Sequence, residues 1–193
     1  MKFHMLSGAI MALMAFAVSA HDAGAAVTVL GNGLPASCFQ IAEFGGDAEE
    51  GIQTCTTALE SAAMSTTDRA ATYVNRGILK SRRDDLQGAM TDYEAGMKLN
   101  AKMGEAYVNR GATLISLRRY QEALSDISRG IALGSKKPEI AYYDRAIARE
   151  ALGDIRGAYE DFKKALEIQP DFERASLQLQ RFHVVRSGEQ GGA

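Results

Sequence analysis

Three arginine–aspartate couples recur along this chain at one interval: Arg76 with Asp92, Arg110 with Asp126, and Arg145 with Asp161. A guanidinium can bind an anionic ligand, or it can lock onto a carboxylate elsewhere in the fold and hold two pieces of chain together. The same interval of sixteen residues in all three couples favours the structural pair. A half-buried pair of this kind holds geometry more than it stabilises, although losing one partner strands a charge. Other chemistry is sparse. Two cysteines, Cys38 and Cys55, cannot furnish a four-ligand zinc site, and His21 and His183 show no ligand spacing. No Gly-rich phosphate loop, His-Glu zinc helix or Gly-x-Ser-x-Gly elbow occurs. The carboxylates Asp84-Asp85 and Glu49-Glu50 fall in turns or first turns, where they complement helix N-termini. The basic doublets Arg82-Arg83 and Arg118-Arg119 fall near turns, where helix C-termini favour cations whether or not an anionic partner exists. No catalytic residue, metal or cofactor is expected, and the chain reads as a non-enzyme.

The 22 Lys and Arg nearly balance the 24 Asp and Glu. That argues against nucleic acid as partner, because its binders carry a strong basic excess. Lys2, an uncharged apolar run over residues 6–18, and Val18-Ser19-Ala20 read as a signal peptide over residues 1–20. Cleavage is expected after Ala20, with Ala23-Gly24-Ala25 as a second candidate site. As a helix the run would rise about 20 Å, short of a hydrocarbon core of about 30 Å, so a membrane anchor is the weaker reading. The expected location is exported, periplasmic or secreted, and there two thiols read as a disulfide rather than as a nucleophile. Pro35-Ala36-Ser37 lacks the leucine of a lipoprotein site ahead of Cys38, so no lipid anchor is expected.

Helices must position these residues. Residues 21–34 are rich in Gly and Ala without periodicity and read as a flexible lead-in. Pro35 suits the first turn of a helix over 36–44, and Gly45-Gly46 ends it. Asp47 with Glu50 resembles a capping box that opens a second helix over 48–64. Then Tyr73-Val74-Asn75-Arg76-Gly77 returns verbatim 34 positions later as Tyr107-Val108-Asn109-Arg110-Gly111. A looser copy, Tyr142-Tyr143-Asp144-Arg145-Ala146, follows after 35 more. Such a period means one helix–turn–helix unit stacked on itself. The units cover 70–103, 104–137 and 139–172, with Pro138 as the extra residue. Residues 173–186 place Ala175, Leu179, Phe182 and Val185 on one face and read as a helix capping the open end. Residues 187–193 read as a disordered tail.

These units resemble the tetratricopeptide repeat. Tyr73, Tyr107 and Tyr142 stand at its aromatic place, and Gly77, Gly111 and Ala146 at the small place where two helices cross. Ala89, Ala123 and Ala158 face them, while Gly96, Gly130 and Ala165 take the next small place. Only the third unit keeps the closing proline, Pro170. The resemblance covers 70–172, with 36–64 as a degenerate first hairpin, and makes 35–186 one domain. It implies an all-α fold, a short α-solenoid of helical hairpins with a C-terminal capping helix. In the degenerate hairpin Cys38 falls at the arginines' place and Cys55 one residue past the aspartates'. The implied Cys38–Cys55 disulfide would staple that hairpin, a contribution of about 3 kcal/mol for a loop of this length.

In that family the first helices of successive units line a concave groove that receives a peptide or a helix of another protein. By resemblance the groove would hold Val74, Asn75, Ile78 and Arg82, then Val108, Asn109, Ala112 and Ser116, then Tyr143, Asp144, Ile147 and Glu150. Some relatives use asparagine to hold a peptide backbone, since an amide both donates and accepts. Asn75 and Asn109 either do the same or simply sit on a solvated helix face. Asp144 and Glu150 would repel the acidic C-terminal tail that chaperone-binding relatives grip. The resemblance thus implies an exported scaffold or adaptor that binds a protein or extended peptide in the cell envelope. The alternatives are an accessory subunit tethering envelope enzymes, or a self-associating module. The latter would form a homodimer through Leu177, Phe182 and Val184 on the last helix.

Overall fold

Short polar side chains set where the helices begin. Ser65 accepts from the backbone N–H of Asp68 at 3.0 Å, Asp85 from Gly88 at 2.9 Å, and Asp154 from Gly157 at 2.9 Å. Each satisfies one of the donors that a helix start leaves without an intrahelical partner. Asp47 does the same for Glu50 at 2.8 Å. A computed structural model describes residues 2–5, 25–29, 33–61 and 63–185. Among them are four helical hairpins: α1 Leu34–Phe44 with α2 Ala48–Ser61, α3 Thr66–Arg82 with α4 Leu86–Leu99, α5 Gly104–Ser116 with α6 Tyr120–Ala132, and α7 Pro138–Ala151 with α8 Ile155–Ile168. A short α9, Glu173–Leu179, follows. The second helix of each hairpin packs on the first helix of the next, and α1, α3, α5 and α7 also touch in succession, which makes an all-α solenoid. The turn inside each full unit needs one left-handed residue, supplied by Asp84 (φ 63°), Arg118 (φ 58°) and Gly153 (φ 83°).

Close approach at the crossings explains the glycines. A Cβ on Gly77 would stand 2.6 Å from the Tyr93 ring, and one on Gly111 would collide with Ile127. At the next small place a Cβ on Gly96 would lie 2.8 Å from Val74 and 3.0 Å from the Ala70 carbonyl oxygen. Tyr93, Ile127 and Phe162 occupy one place of the second helix in successive units, and all three are buried. They fill the space that the small residues leave, at interior packing density.

Across each hairpin the arginine forks onto its aspartate. Arg76 donates through Nε and Nη2 to Asp92 at 2.9 and 2.7 Å, Arg110 to Asp126 at 2.7 and 2.9 Å, and Arg145 to Asp161 at 2.8 Å twice. Lys80 adds a second cation to Asp92 at 2.8 Å, and Arg149 to Asp161 at 2.9 Å. The equivalent place in the middle unit is Leu114, so Asp126 lacks this second pair. Hydrogen bonding to Asp126 and Asp161 holds the Arg110 and Arg145 guanidiniums above their ordinary range. In the first hairpin Cys38 and Cys55 form a disulfide with Cα atoms 4.9 Å apart.

Four expectations change. The expected helix over 48–64 stops at Ser61; residues 63–65 are already the lead into α3, which Ser65 caps. The expected capping helix over 173–186 ends at Leu179. Phe182–Val185 is instead a strand, β2, paired antiparallel with β1, Lys2–Met5. Leaving the helix lets Phe182 reach Tyr159 and Phe162, with ring centroids at 5.8 and 6.0 Å. Phe182 is therefore buried rather than exposed; Leu177 remains open at 53 % exposure. The start of the chain, expected to lie outside the fold, contributes β1, while residues 6–20 of the expected signal peptide lie outside the described residues. The lead-in over 21–34 is not a flexible stretch throughout, because residues 25–29 are extended and seated in the core. The expected tail over 187–193 also lies outside the described residues. No helix among the described residues is long and apolar enough to cross a membrane.

Two substitutions test this architecture. Gly111→Val places a branched side chain against Ile127, a collision that outweighs the roughly few tenths of a kcal/mol of helix propensity that Val gains over Gly. It is expected to cost about 1–3 kcal/mol in urea unfolding. Asp92→Ala leaves two cations, Arg76 and Lys80, without their acid and is expected to cost about 3 kcal/mol, more than Asp126→Ala, after which Arg110 keeps Glu94 at 3.8 Å. Equal losses for the two aspartates would show that the second cation contributes nothing.

Candidate functional site

The concave face is lined by the first helices, and an extended segment of the same chain lies in it. Asn75, fully buried on α3, accepts from the backbone N–H of Val27 at 2.7 Å and donates to the Val27 carbonyl at 2.9 Å. One amide thus satisfies both backbone groups of a single residue. One unit on, Asn109 of α5 donates to the Ala25 carbonyl at 3.2 Å. Its Oδ1 is buried and has no hydrogen-bond partner. Successive rungs therefore hold residues two apart, which lie on one side of an extended chain.

Side chains around the segment complete its seat. Ala26, Val27 and Val29 pack into the first core cluster with Cys38, Ala42, Val74 and Ile78. Glu43 at the end of α1 accepts from the Ala26 N–H at 3.3 Å and pairs with Lys137 at 2.9 Å, so it links the segment to the loop before α7. Lys136 donates to the Thr28 hydroxyl at 3.4 Å. Sequence reasoning singled out neither Glu43 nor these lysines. The only signal available was the β-branched run Val27-Thr28-Val29, too short to show a period.

The remaining groove residues differ in placement. Val74, Ile78 and Val108 are core, and Ala112 and Ser116 are half-buried along α5. The Arg82 guanidinium donates to the Ala42 carbonyl at 2.6 Å and the Ile41 carbonyl at 3.3 Å, capping α1. Tyr143 packs between Phe162 and Phe172, with ring centroids at 5.5 and 5.4 Å, and supports the wall rather than the floor. Ile147 is half-buried, and Glu150 pairs with Arg181 at 2.6 Å while its other oxygen is buried without a partner.

Asp144 stands at the third place of the series that begins Asn75, Asn109. It is 4 % exposed, and its Oδ2 has no hydrogen-bond partner. Burial pushes its carboxyl up to about 7, against a partial pull downwards from Arg174. Arg174 itself stacks over the Tyr143 and Phe172 rings at 5.3 and 5.1 Å. The groove so contains two amides engaged with backbone and one buried acid that is not engaged.

The three fork-forming arginines offer little to an anion. Beside Arg110 is a cavity of about 240 Å³, but Glu94, Glu122 and Asp126 line it too. Among the described residues no three His, Cys, Asp or Glu side chains group as a metal site.

Comparison with known proteins bears on the repeat and its fold. The pattern described as Tetratricopeptide repeat matches residues 139–172. No curated protein matches the chain. Among solved structures the chain is similar to the TPR domain of Arabidopsis OM64, at 26 % identity and a TM-score of 0.58, over 61 % of this chain and 96 % of that one. It is similar to MamA of Desulfovibrio magneticus RS-1, at 20 % identity and a TM-score of 0.61, over 77 % and 82 %. It is also similar to the second TPR domain of human RPAP3, solved in complex with the HSP70 peptide SGPTIEEVD, at 23 % identity and a TM-score of 0.56, over 60 % and 96 %.

The raised carboxyl of Asp144 makes a pH prediction with a definite sign. Between about pH 4, where an unfolded aspartate titrates, and about 7, the native state binds the additional proton. Stability contributed by this group is therefore present at low pH and lost as pH rises through that window. Asp144→Asn, which installs the residue of the two preceding units, should be more stable than the parent at pH 8 and close to it at pH 4. Urea unfolding of both chains across this range checks it; parallel curves would show that Asp144 titrates normally.

Proposed function

We propose, for a chain that is a tetratricopeptide-repeat protein, that its concave groove binds an extended segment of another protein and that the chain serves as an exported adaptor. The observation that carries this reading is the seat of residues 25–29. There Asn75 and Asn109 grip backbone groups, and the grip demands no particular sequence. A relative by fold, the RPAP3 domain, is known with a peptide bound. The chain's own segment is a stand-in for that kind of ligand, and a partner displaces it. Main-chain hydrogen bonds would supply affinity, and the pockets beneath Val27 and Val29 would supply preference for β-branched residues. The buried Cys38–Cys55 disulfide supports an oxidising compartment, and the leader-like start supports export, in which case cleavage after Ala20 takes β1 from the mature chain. The reading assigns activity to the groove and none to a catalytic group.

An accessory subunit that tethers envelope enzymes would use the same groove and differs only in its partner. Of the anchors whose burial is described, self-association through the C-terminal segment keeps Leu177 exposed, while Phe182 is packed inside. Sedimentation of the full chain separates it, as a mass independent of concentration excludes a dimer.

A photo-crosslinking residue at Ser116, on the groove, compared with one at the exposed Lys163 of α8, tests the proposal in the native envelope. Capture of the same protein from Ser116 and not from Lys163 is expected. Capture from Lys163 alone would move the site to the outer face.

A further inference from the structure

Asp144 is the feature of the groove that the described occupant, residues 25–29, leaves unused. Resting on the groove reading above, we propose that Asp144 pairs with a positively charged side chain of the bound segment, so that the partner is an extended peptide carrying Lys or Arg at a set place. The place follows from the occupant. Asn75 holds Val27 and Asn109 holds Ala25, so the chain direction runs from the third rung toward the first, two residues per rung. Continuing the step puts the residue two ahead of the one on Asn109, three at most, at Asp144.

Charge and burial support the assignment. Among the described residues Asp144 Oδ2 is buried with no hydrogen-bond partner, and Arg174, whose charge acts on it, stacks on two aromatic faces. Glu150, one helical stretch further along α7, has a second buried oxygen without a partner, and its other oxygen engages Arg181. The rim lysines do not neutralise this end: Lys137 pairs with Glu43, and Lys136 donates to Thr28. The described segment, residues 25–29, is matched at two rungs, at Asn75 and Asn109. A buried acid with no partner opposes folding, and a bound ammonium or guanidinium would turn it into a charge-assisted hydrogen bond. The same acid rejects tails of the SGPTIEEVD type found on the RPAP3 domain.

The test uses the full chain and a heptapeptide, Lys-Gly-Ala-Ala-Val-Thr-Val, blocked at both ends to remove terminal charges. Its companions carry Gln or Glu in place of Lys. Because the tethered segment competes at an effective concentration in the millimolar range, a Val27→Asp chain is used alongside the parent to release it. Titration followed by fluorescence polarisation should show the Lys peptide binding about tenfold tighter than the Gln peptide, the scale of one charge-assisted bond, with the Glu peptide weakest. Asp144→Asn should erase the difference between Lys and Gln while leaving the Gln peptide bound. Equal binding of Lys and Gln peptides to the parent groove overturns the charge preference and leaves the groove reading standing. No binding of any peptide to a folded Val27→Asp chain overturns the groove reading itself and this inference with it. If Val27→Asp does not fold, the three peptides are compared on the parent at millimolar concentration by crosslinking from Ser116, and the same two outcomes decide.

Discussion

The closeness of the two helices in each hairpin is the constraint on which the rest depends. Gly77 and Gly111 leave room for Tyr93 and Ile127 to lie almost against the opposing backbone; Ala146 and Phe162 make the same crossing one methyl wider. At that separation an arginine one residue before the small place reaches the aspartate of the facing helix with both edges of its fork. Widen the crossing and the fork would no longer span it. The repeated crossing also sets the step from α3 to α5, which brings Asn75 and Asn109 into register with one extended chain.

A polar floor inside a tightly packed solenoid has an energetic consequence. A buried amide with empty donors and acceptors is costly, and a backbone offers both kinds of partner from a single residue. The seat of residues 25–29 follows from that need: Asn75 is engaged through both its oxygen and its nitrogen, and Asn109 through its nitrogen. At Asp144 the need is met by nothing in the described chain. Two units favour stability at this place, and the third does not. Local choices that oppose folding are expected where function requires them. An occupant tethered to its own groove also sets a threshold, because any partner has to compete with a ligand that is always nearby.

The ends of the stack are held by different means. The degenerate first hairpin lacks the arginine fork and carries the Cys38–Cys55 bond at the corresponding place, with Arg82 capping α1 from the neighbouring unit. At the other end α9 is short, and Phe182 closes the core through Tyr159 and Phe162. Both ends thus cover apolar surface that an interior unit would bury against its neighbour.

Much of this was legible in the sequence, because it is local and repeated. The 34-residue period, the small places and the sixteen-residue Arg–Asp interval each recur, and recurrence separates a structural requirement from chance. The helix starts at Ser65 and Asp85 follow from side chains within three residues of the groups they cap. The seat of residues 25–29 was not legible. Its bonds join residues 48 and 84 apart in sequence, and five residues without periodicity carry no mark of the surface that will receive them. Phe182 illustrates the same limit, since its spacing from Ala175 and Leu179 fits a helix equally well. The strand rests on pairing with Lys2–Met5, and Phe182 reaches the aromatic cluster on α8, contacts between parts of the chain far apart. The sequence by itself determined the hairpins, their crossings and their ion pairs, all of them set by neighbours at fixed spacing. Only the tertiary structure decided what fills the groove and which acid remains without a partner, because those depend on contacts between parts of the chain far apart.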